Sequence, residues 1–73
     1  MSSVPKYRRA FGEAIRIHRR QARLSQEKLA EKADLHPVYI STVERGVKTI
    51  SVDALMRLAK ALNVRVRDLV ADI

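Results

Sequence analysis

The residues of this chain that could do chemistry are mainly cations, and they are concentrated near its start. The formal net charge is +7 over 73 residues. Before Leu24 a single acid, Glu13, stands against seven cations: Lys6, Arg8, Arg9, Arg16, Arg19, Arg20 and Arg23. A basic surface attracts phosphate backbones or anionic lipid. The charge alone is equally compatible with a solvated face whose only role is to keep the protein soluble.

Groups suited to catalysis or metal binding are missing from the sequence. It contains no nucleophile paired with a base, no carboxylate dyad and no glycine-rich phosphate loop. There is no cysteine, and His18 and His36 are too far apart in sequence to suggest a local metal pair. We therefore expect no enzyme activity, metal, cofactor or small-molecule ligand.

The length of the chain predicts one small domain with a marginal core. We expect residues 1–5 to be flexible and residues 6–73 to form that domain. No apolar run could span a membrane and no secretory signal is present, so we expect a cytoplasmic protein. Because no cysteine can reinforce the core, burial of apolar surface against a second copy is a reasonable source of stability.

Helical periodicity dominates the sequence and predicts an all-α fold of five short helices. The predicted spans are 6–23, 26–33, 37–45, 52–62 and 65–71. Ser25, His36 and Ser51 are predicted N-caps, and Gly46 and Asn63 are predicted to end helices in the left-handed region. Two positions predict weak ends. They are Arg23, where either strain or an extended first helix is expected, and Arg65, a poor capping residue.

The second and third predicted helices satisfy the demands of a helix-turn-helix between Ser25 and Gly46. Their crossing point needs a small residue, and Ala30 supplies it. Asp34 can adopt a positive φ in the turn, and Leu35 can plug the inner side of that turn. Ile40 and Val43 recur at helical spacing and can pin the third helix, so the local requirements are met.

The segments LSQEKLA, residues 24–30, and YISTVERG, residues 39–46, resemble the lambda-repressor/Cro-type helix-turn-helix family. The stretch from Ser51 through Leu62 to Leu69 is similar to the fourth and fifth helices of that family. The resemblance covers residues 11–69, and small restriction–modification controller proteins and short phage repressors look most similar. It implies a compact five-helix DNA-binding domain whose third helix enters the major groove.

The resemblance also implies roles for individual residues. It places four residues at DNA phosphates: Gln26, Arg45, Lys48 and Thr49. Arg19 and Glu44 would pair across helices one and three beneath the motif, rather than contact DNA. The residues placed toward base edges are Val38, Tyr39, Ser41 and Thr42.

The base-reading positions depart from the pattern of the family. Many relatives carry long polar side chains where this chain has Pro37 and Val38, and no arginine precedes Arg45 in helix three. Val38 can offer only a methyl contact, for example to thymine. For Tyr39 the alternative is a ring packed along the helix with its hydroxyl in solvent. We therefore hypothesise weak direct readout, supplemented by DNA shape and deformability.

Apolar residues near the end of the chain predict a two-fold dimer interface. The predicted interface residues are Val64, Val66, Leu69, Val70 and Ile73. The alternative is that all of them fold back onto helices one and four.

Together these features predict a transcription regulator that binds a palindromic operator in double-stranded DNA as a homodimer. It would be autoregulatory, acting as a controller protein or a repressor, and from an upstream site it could contact RNA polymerase. The alternative function is a protein-interaction module, such as an antitoxin or a coactivator-like adaptor.

Overall fold

The computed structural model describes residues 5–71, which form five α-helices and no strand. The helices are α1 (Lys6–Gln21), α2 (Gln26–Ala33), α3 (Pro37–Glu44), α4 (Val52–Leu62) and α5 (Val66–Val70). The prediction of an all-α fold with five helices is confirmed. Apart from Pro5, the segment predicted to be flexible lies outside the described residues. Among the residues described, no helix has both the length and the apolar character needed to cross a membrane.

Side chains cap the amino ends of three helices, as the sequence predicted. The Ser25 hydroxyl accepts a hydrogen bond from the Lys28 N–H at 3.0 Å, and Ser51 does the same for Ala54 at 3.0 Å. His36 caps α3 through Nδ1, which accepts from the Val38 N–H at 3.1 Å. Each bond satisfies a backbone donor that has no partner inside its helix.

The carboxyl end of α1 differs from the predicted one. The helix stops at Gln21, and Arg23 adopts φ 60°. The Leu24 N–H donates to the carbonyl of Arg19 at 3.1 Å, so the chain leaves α1 through a tight, hydrogen-bonded turn. The strained alternative is therefore the observed one. Ala22 follows the last residue of the helix and is exposed.

The other predicted helix ends agree with the structure. Asp34, Gly46 and Asn63 have φ values of 57°, 76° and 57°. The start of α5 is better capped than expected, because the Asp68 carboxylate accepts a hydrogen bond from the Arg65 N–H at 2.9 Å.

All five helices contribute to one hydrophobic core. Its largest fully buried side chains are Ile15, Leu29, Ile40, Val43, Leu58 and Leu69. The helix α1 packs on α3 and α5, while α4 packs on α2 and α5. At the helix-turn-helix crossing Ala30 is 1% exposed, as its predicted role requires.

Gly12 allows α1 to approach the end of α3 closely. A Cβ atom at Gly12 would lie 2.6 Å from the carbonyl oxygen of Glu44, and closer still to that of Val43. Both obstacles are backbone atoms, so they cannot rotate away. Only glycine fits here, and this close contact brings the middle of α1 beneath the last turn of α3.

Candidate DNA-binding surface

The helix α3 is buried along one side and open along the other. Ile40 and Val43 are 0% and 1% exposed, so they fix the helix to the core. On the opposite side Val38 is 62% exposed, and Ser41 and Thr42 are half-buried. A helix held this way presents a short, mostly apolar surface with two hydroxyl groups.

Local contacts reduce the hydrogen-bonding capacity of this surface. The Thr42 hydroxyl donates to the carbonyl oxygen of Tyr39 at 2.8 Å, which leaves its lone pairs as acceptors. The Tyr39 ring is half-buried and packs against the core, and Lys48 Nζ lies 5.6 Å from its centroid. Packing of the ring agrees with the alternative weighed for Tyr39. Base contact by the four predicted residues stays a prediction.

Cations and a hydroxyl follow directly after α3. Arg45, Lys48 and Thr49 are exposed, and they surround the sharp turn at Gly46. The Arg45 Nε group donates to the carbonyl oxygen of Ser41 at 3.4 Å, so the stem of Arg45 lies along the last turn of α3. We call Arg45, Lys48 and Thr49 the α3–α4 rim. Its groups suit contact with a polyanionic backbone, which is the role predicted for them.

A buried ion pair lies beneath the helix-turn-helix. Arg19 Nε donates to Glu44 Oε2 at 2.6 Å, and the side chains of Arg19 and Glu44 are 11% and 4% exposed. Arg19 Nη2 donates to Glu44 Oε1 at 3.1 Å, which makes the pair bidentate. A third bond runs from Arg19 Nη1 to the Leu24 carbonyl at 2.9 Å. The pair therefore joins α1, α3 and the turn that leads into α2.

Gln26, predicted to bind phosphate, belongs to the same network. Its Nε2 group donates to Glu44 Oε1 at 3.1 Å, and the residue is half-buried at the first position of α2. An amide nitrogen has two N–H groups, so one remains for another acceptor. Glu44 therefore orients Gln26, and phosphate binding by Gln26 stays a prediction.

The predicted dimer interface is only partly available at the surface. Leu69 is 1% exposed and belongs to the core of its own chain, so its assignment to the interface was wrong. Val64, Val66 and Val70 are half-buried against the core. Ile73 lies outside the described residues.

Two exposed side chains on α4 were missed as a surface. Val52 is 76% exposed and Met56 is 56% exposed, and their four-residue spacing places them on one face of the helix. The available signal was that neither residue follows the spacing of the buried Leu58 and Leu62.

Comparison with known proteins decides the family. A family model described as helix-turn-helix matches residues 15–69, which include the whole of α2, α3 and α4. The chain belongs to the lambda-repressor-type helix-turn-helix family of transcription regulators. The predicted family resemblance is therefore confirmed.

Restriction–modification controller proteins are among its relatives. The control protein C.BamHI of Bacillus amyloliquefaciens is 45% identical over 60 residues, which cover 81% of this chain and 74% of the relative. The crystal structure of the controller C.AhdI from Aeromonas hydrophila superposes with a TM-score of 0.83 at 37% identity. That alignment covers 85% of this chain and 94% of C.AhdI.

A further structural neighbour is the biofilm regulator SinR, which was solved in complex with DNA. Its TM-score is 0.78 at 32% identity, over 81% of this helix-turn-helix chain and 95% of the SinR chain. These relatives are regulators rather than enzymes, in agreement with the expectation from the sequence.

Proposed function

We propose that this helix-turn-helix protein is a sequence-specific transcription regulator that binds a palindromic operator as a homodimer, with α3 in the major groove. The observation that carries the proposal is the position of α3. Its inner side is fixed in the core, its outer side is open, and the cationic rim begins at Arg45, directly after its last residue. A major groove about 12 Å wide admits one helix presented in this way.

Phosphate contacts would hold the helix in place from both ends of the motif. Arg45, Lys48 and Thr49 would bind the backbone beyond α3. Gln26 and the free N–H groups at the start of α2 would bind it on the other side of the groove. Such contacts position a protein on DNA without reading its sequence.

Base recognition would be weak and would depend on the shape of the operator. Val38 can contact a thymine methyl group, while Ser41 and Thr42 can each make few hydrogen bonds. The Thr42 hydroxyl already donates within α3. Sequence preference would then come partly from how easily the DNA adopts the bound shape.

The dimer would use the layer formed by α4 and α5. The exposed pair Val52 and Met56 would supply apolar surface, with the half-buried Val66 and Val70 from the packed α5. In a two-fold dimer the same patch meets itself. The two copies of α3 would lie about 34 Å apart, one turn of the DNA helix.

Dimerisation would make operator occupancy rise steeply with protein concentration, which suits autoregulation. A bound dimer would block RNA polymerase, or would contact it from an upstream site. The controller proteins among the relatives support a regulatory role.

The experiment that tests the proposal is selection of bound duplexes from a random DNA pool, followed by binding measurements on the enriched sequence. We expect an imperfect palindrome bound by two chains, with log K falling linearly as log salt rises. An unenriched pool together with salt-insensitive binding would contradict the proposal. Tight capture of a protein partner in that case would favour an interaction module instead.

A charge placed on the proposed interface should separate the dimer. For Met56→Lys we expect the dimer dissociation constant to rise at least about tenfold, because burying a Met side chain contributes roughly 1.5–3 kcal/mol. Sedimentation equilibrium measures it. Ile17→Lys is the matched control. Ile17 is 45% exposed on α1, so this substitution adds the same charge away from the proposed interface. Equal dimer dissociation constants for the two variants would show that Met56 on α4 is not part of the interface.

A further inference from the structure

The amino-terminal half of α1 lies directly against the α3–α4 rim. A Cβ atom at Gly46 would lie 3.1 Å from the Arg9 Cα atom and 3.2 Å from its Cγ atom. Gly46 follows Arg45 and precedes Lys48 by two residues. The absence of a side chain at Gly46 therefore lets the stem of Arg9 pass beside the rim.

Unlike Arg16 and Arg19 on the same helix, Arg9 is free to bind another group. Arg19 is committed to Glu44. Arg16 pairs with Glu13, and the hydrogen bond from Arg16 lowers the pKa of that carboxyl below its ordinary value. Arg9 is exposed and forms no ion pair or side-chain hydrogen bond with any residue from 5 to 71.

We propose that Arg9 binds a backbone phosphate of the operator and extends the α3–α4 rim onto α1. The inference rests on the proposed function, because it adds a contact to the same DNA complex. A guanidinium can donate two parallel hydrogen bonds to phosphate oxygens. With Arg45 and Lys48, Arg9 forms a group of cations around one turn, which matches the charge of a DNA strand running past the end of α3.

The salt dependence of DNA binding tests this contact. Replacing Arg9 with Gln should lower the slope of log K against log salt by about 0.9 for each lost phosphate contact. The relative affinities for different sequences should stay unchanged, because a phosphate contact carries no base information. Arg9→Lys keeps the charge and should keep most of the slope.

Lys60→Gln is the matched control. It removes the same charge from a cleft that Lys60 shares with Lys32 and Asp34, at the carboxyl end of α2. Its slope should equal that of the wild type. If the wild type binds with a steep slope and Arg9→Gln shares the slope of Lys60→Gln, the Arg9 contact is refuted. If the wild type shows no salt-dependent binding, the proposed function itself fails.

Thermal unfolding of each variant separates a change in stability from the loss of a DNA contact. Arg9 is exposed, so Arg9→Gln should unfold within a few degrees of the wild type. If Arg9→Gln unfolds at a lower temperature than the wild type, the DNA contact is tested with Arg9→Lys at a temperature where both variants are folded. A slope for Arg9→Lys as low as that for Arg9→Gln would contradict a charge contact with phosphate.

Discussion

Replacing Arg19 with Met should destabilise the domain by about 3–5 kcal/mol, since one partner of a buried ion pair is removed. Glu44 would remain with a side chain 4% exposed and only the Gln26 amide as a donor. The Leu24 carbonyl would also lose its bond from Arg19. The free energy of unfolding from urea denaturation measures the effect.

A second substitution distinguishes a charge effect from a packing effect. Alone, Glu44→Gln should destabilise the protein, because it weakens the bidentate pair with Arg19. In the Arg19→Met background the same change should stabilise it, because a neutral amide costs less to bury than an unpaired carboxylate. A loss of the same size in both backgrounds would show that the charge of Glu44 is not the cause.

Replacing Gly12 with Ala should destabilise the domain by roughly 1–3 kcal/mol or more, as expected for an overpacked site. Helix propensity alone predicts the opposite sign, since Ala is favoured over Gly by about 1 kcal/mol inside a helix. The added methyl would meet the carbonyl oxygens of Val43 and Glu44, so α1 and α3 would have to separate. Urea denaturation again provides the measurement.

The neighbouring Glu13→Ala is the control for this helix. It breaks only the exposed pair with Arg16, so its effect on the free energy of unfolding should be much smaller than that of Gly12→Ala. A Gly12→Ala variant as stable as the wild type would show that α1 can move away from α3 at little cost. The close approach would then have no structural importance.

Features that depend on a few consecutive residues could be predicted from the sequence. The cap at Ser25 needs only a backbone N–H three residues later, and the left-handed ends at Gly46 and Asn63 follow from residue type. Helical spacing likewise placed Ile40 and Val43 inside, and the family resemblance placed Val38 outside. The helices that carry the candidate DNA-binding surface therefore follow from local sequence patterns.

Features that depend on contacts between distant segments could not be predicted from local patterns, and the Arg19–Glu44 pair was implied only by the family resemblance. The glycine at position 12 gave no local sign that α1 would meet Val43 and Glu44 at the end of α3, 31 and 32 residues further along the chain. The end of α1 was ambiguous for a similar reason. Arg23 lies in a turn that is fixed by a contact from outside it. The Leu24 carbonyl in this turn accepts a hydrogen bond from Arg19, and Arg19 is in turn paired with Glu44.

The apolar residues of α5 show the limit of periodicity. This helix has five residues and packs on both α1 and α4, so the spacing of its apolar residues does not reveal which of them are covered. Leu69 turned inward, while on α4 Val52 and Met56 stayed exposed. The predicted interface therefore included Leu69, which is not open to a second chain.

The most direct test of the account is methylation protection of guanine N7 atoms, which lie in the major groove, on the selected operator. With α3 in the groove of each half-site, we predict two protected segments centred about one helical turn apart. Arg45→Gln should weaken both equally without moving them. Protection in neither segment at saturating protein, with the duplex still bound, would contradict major-groove binding by α3.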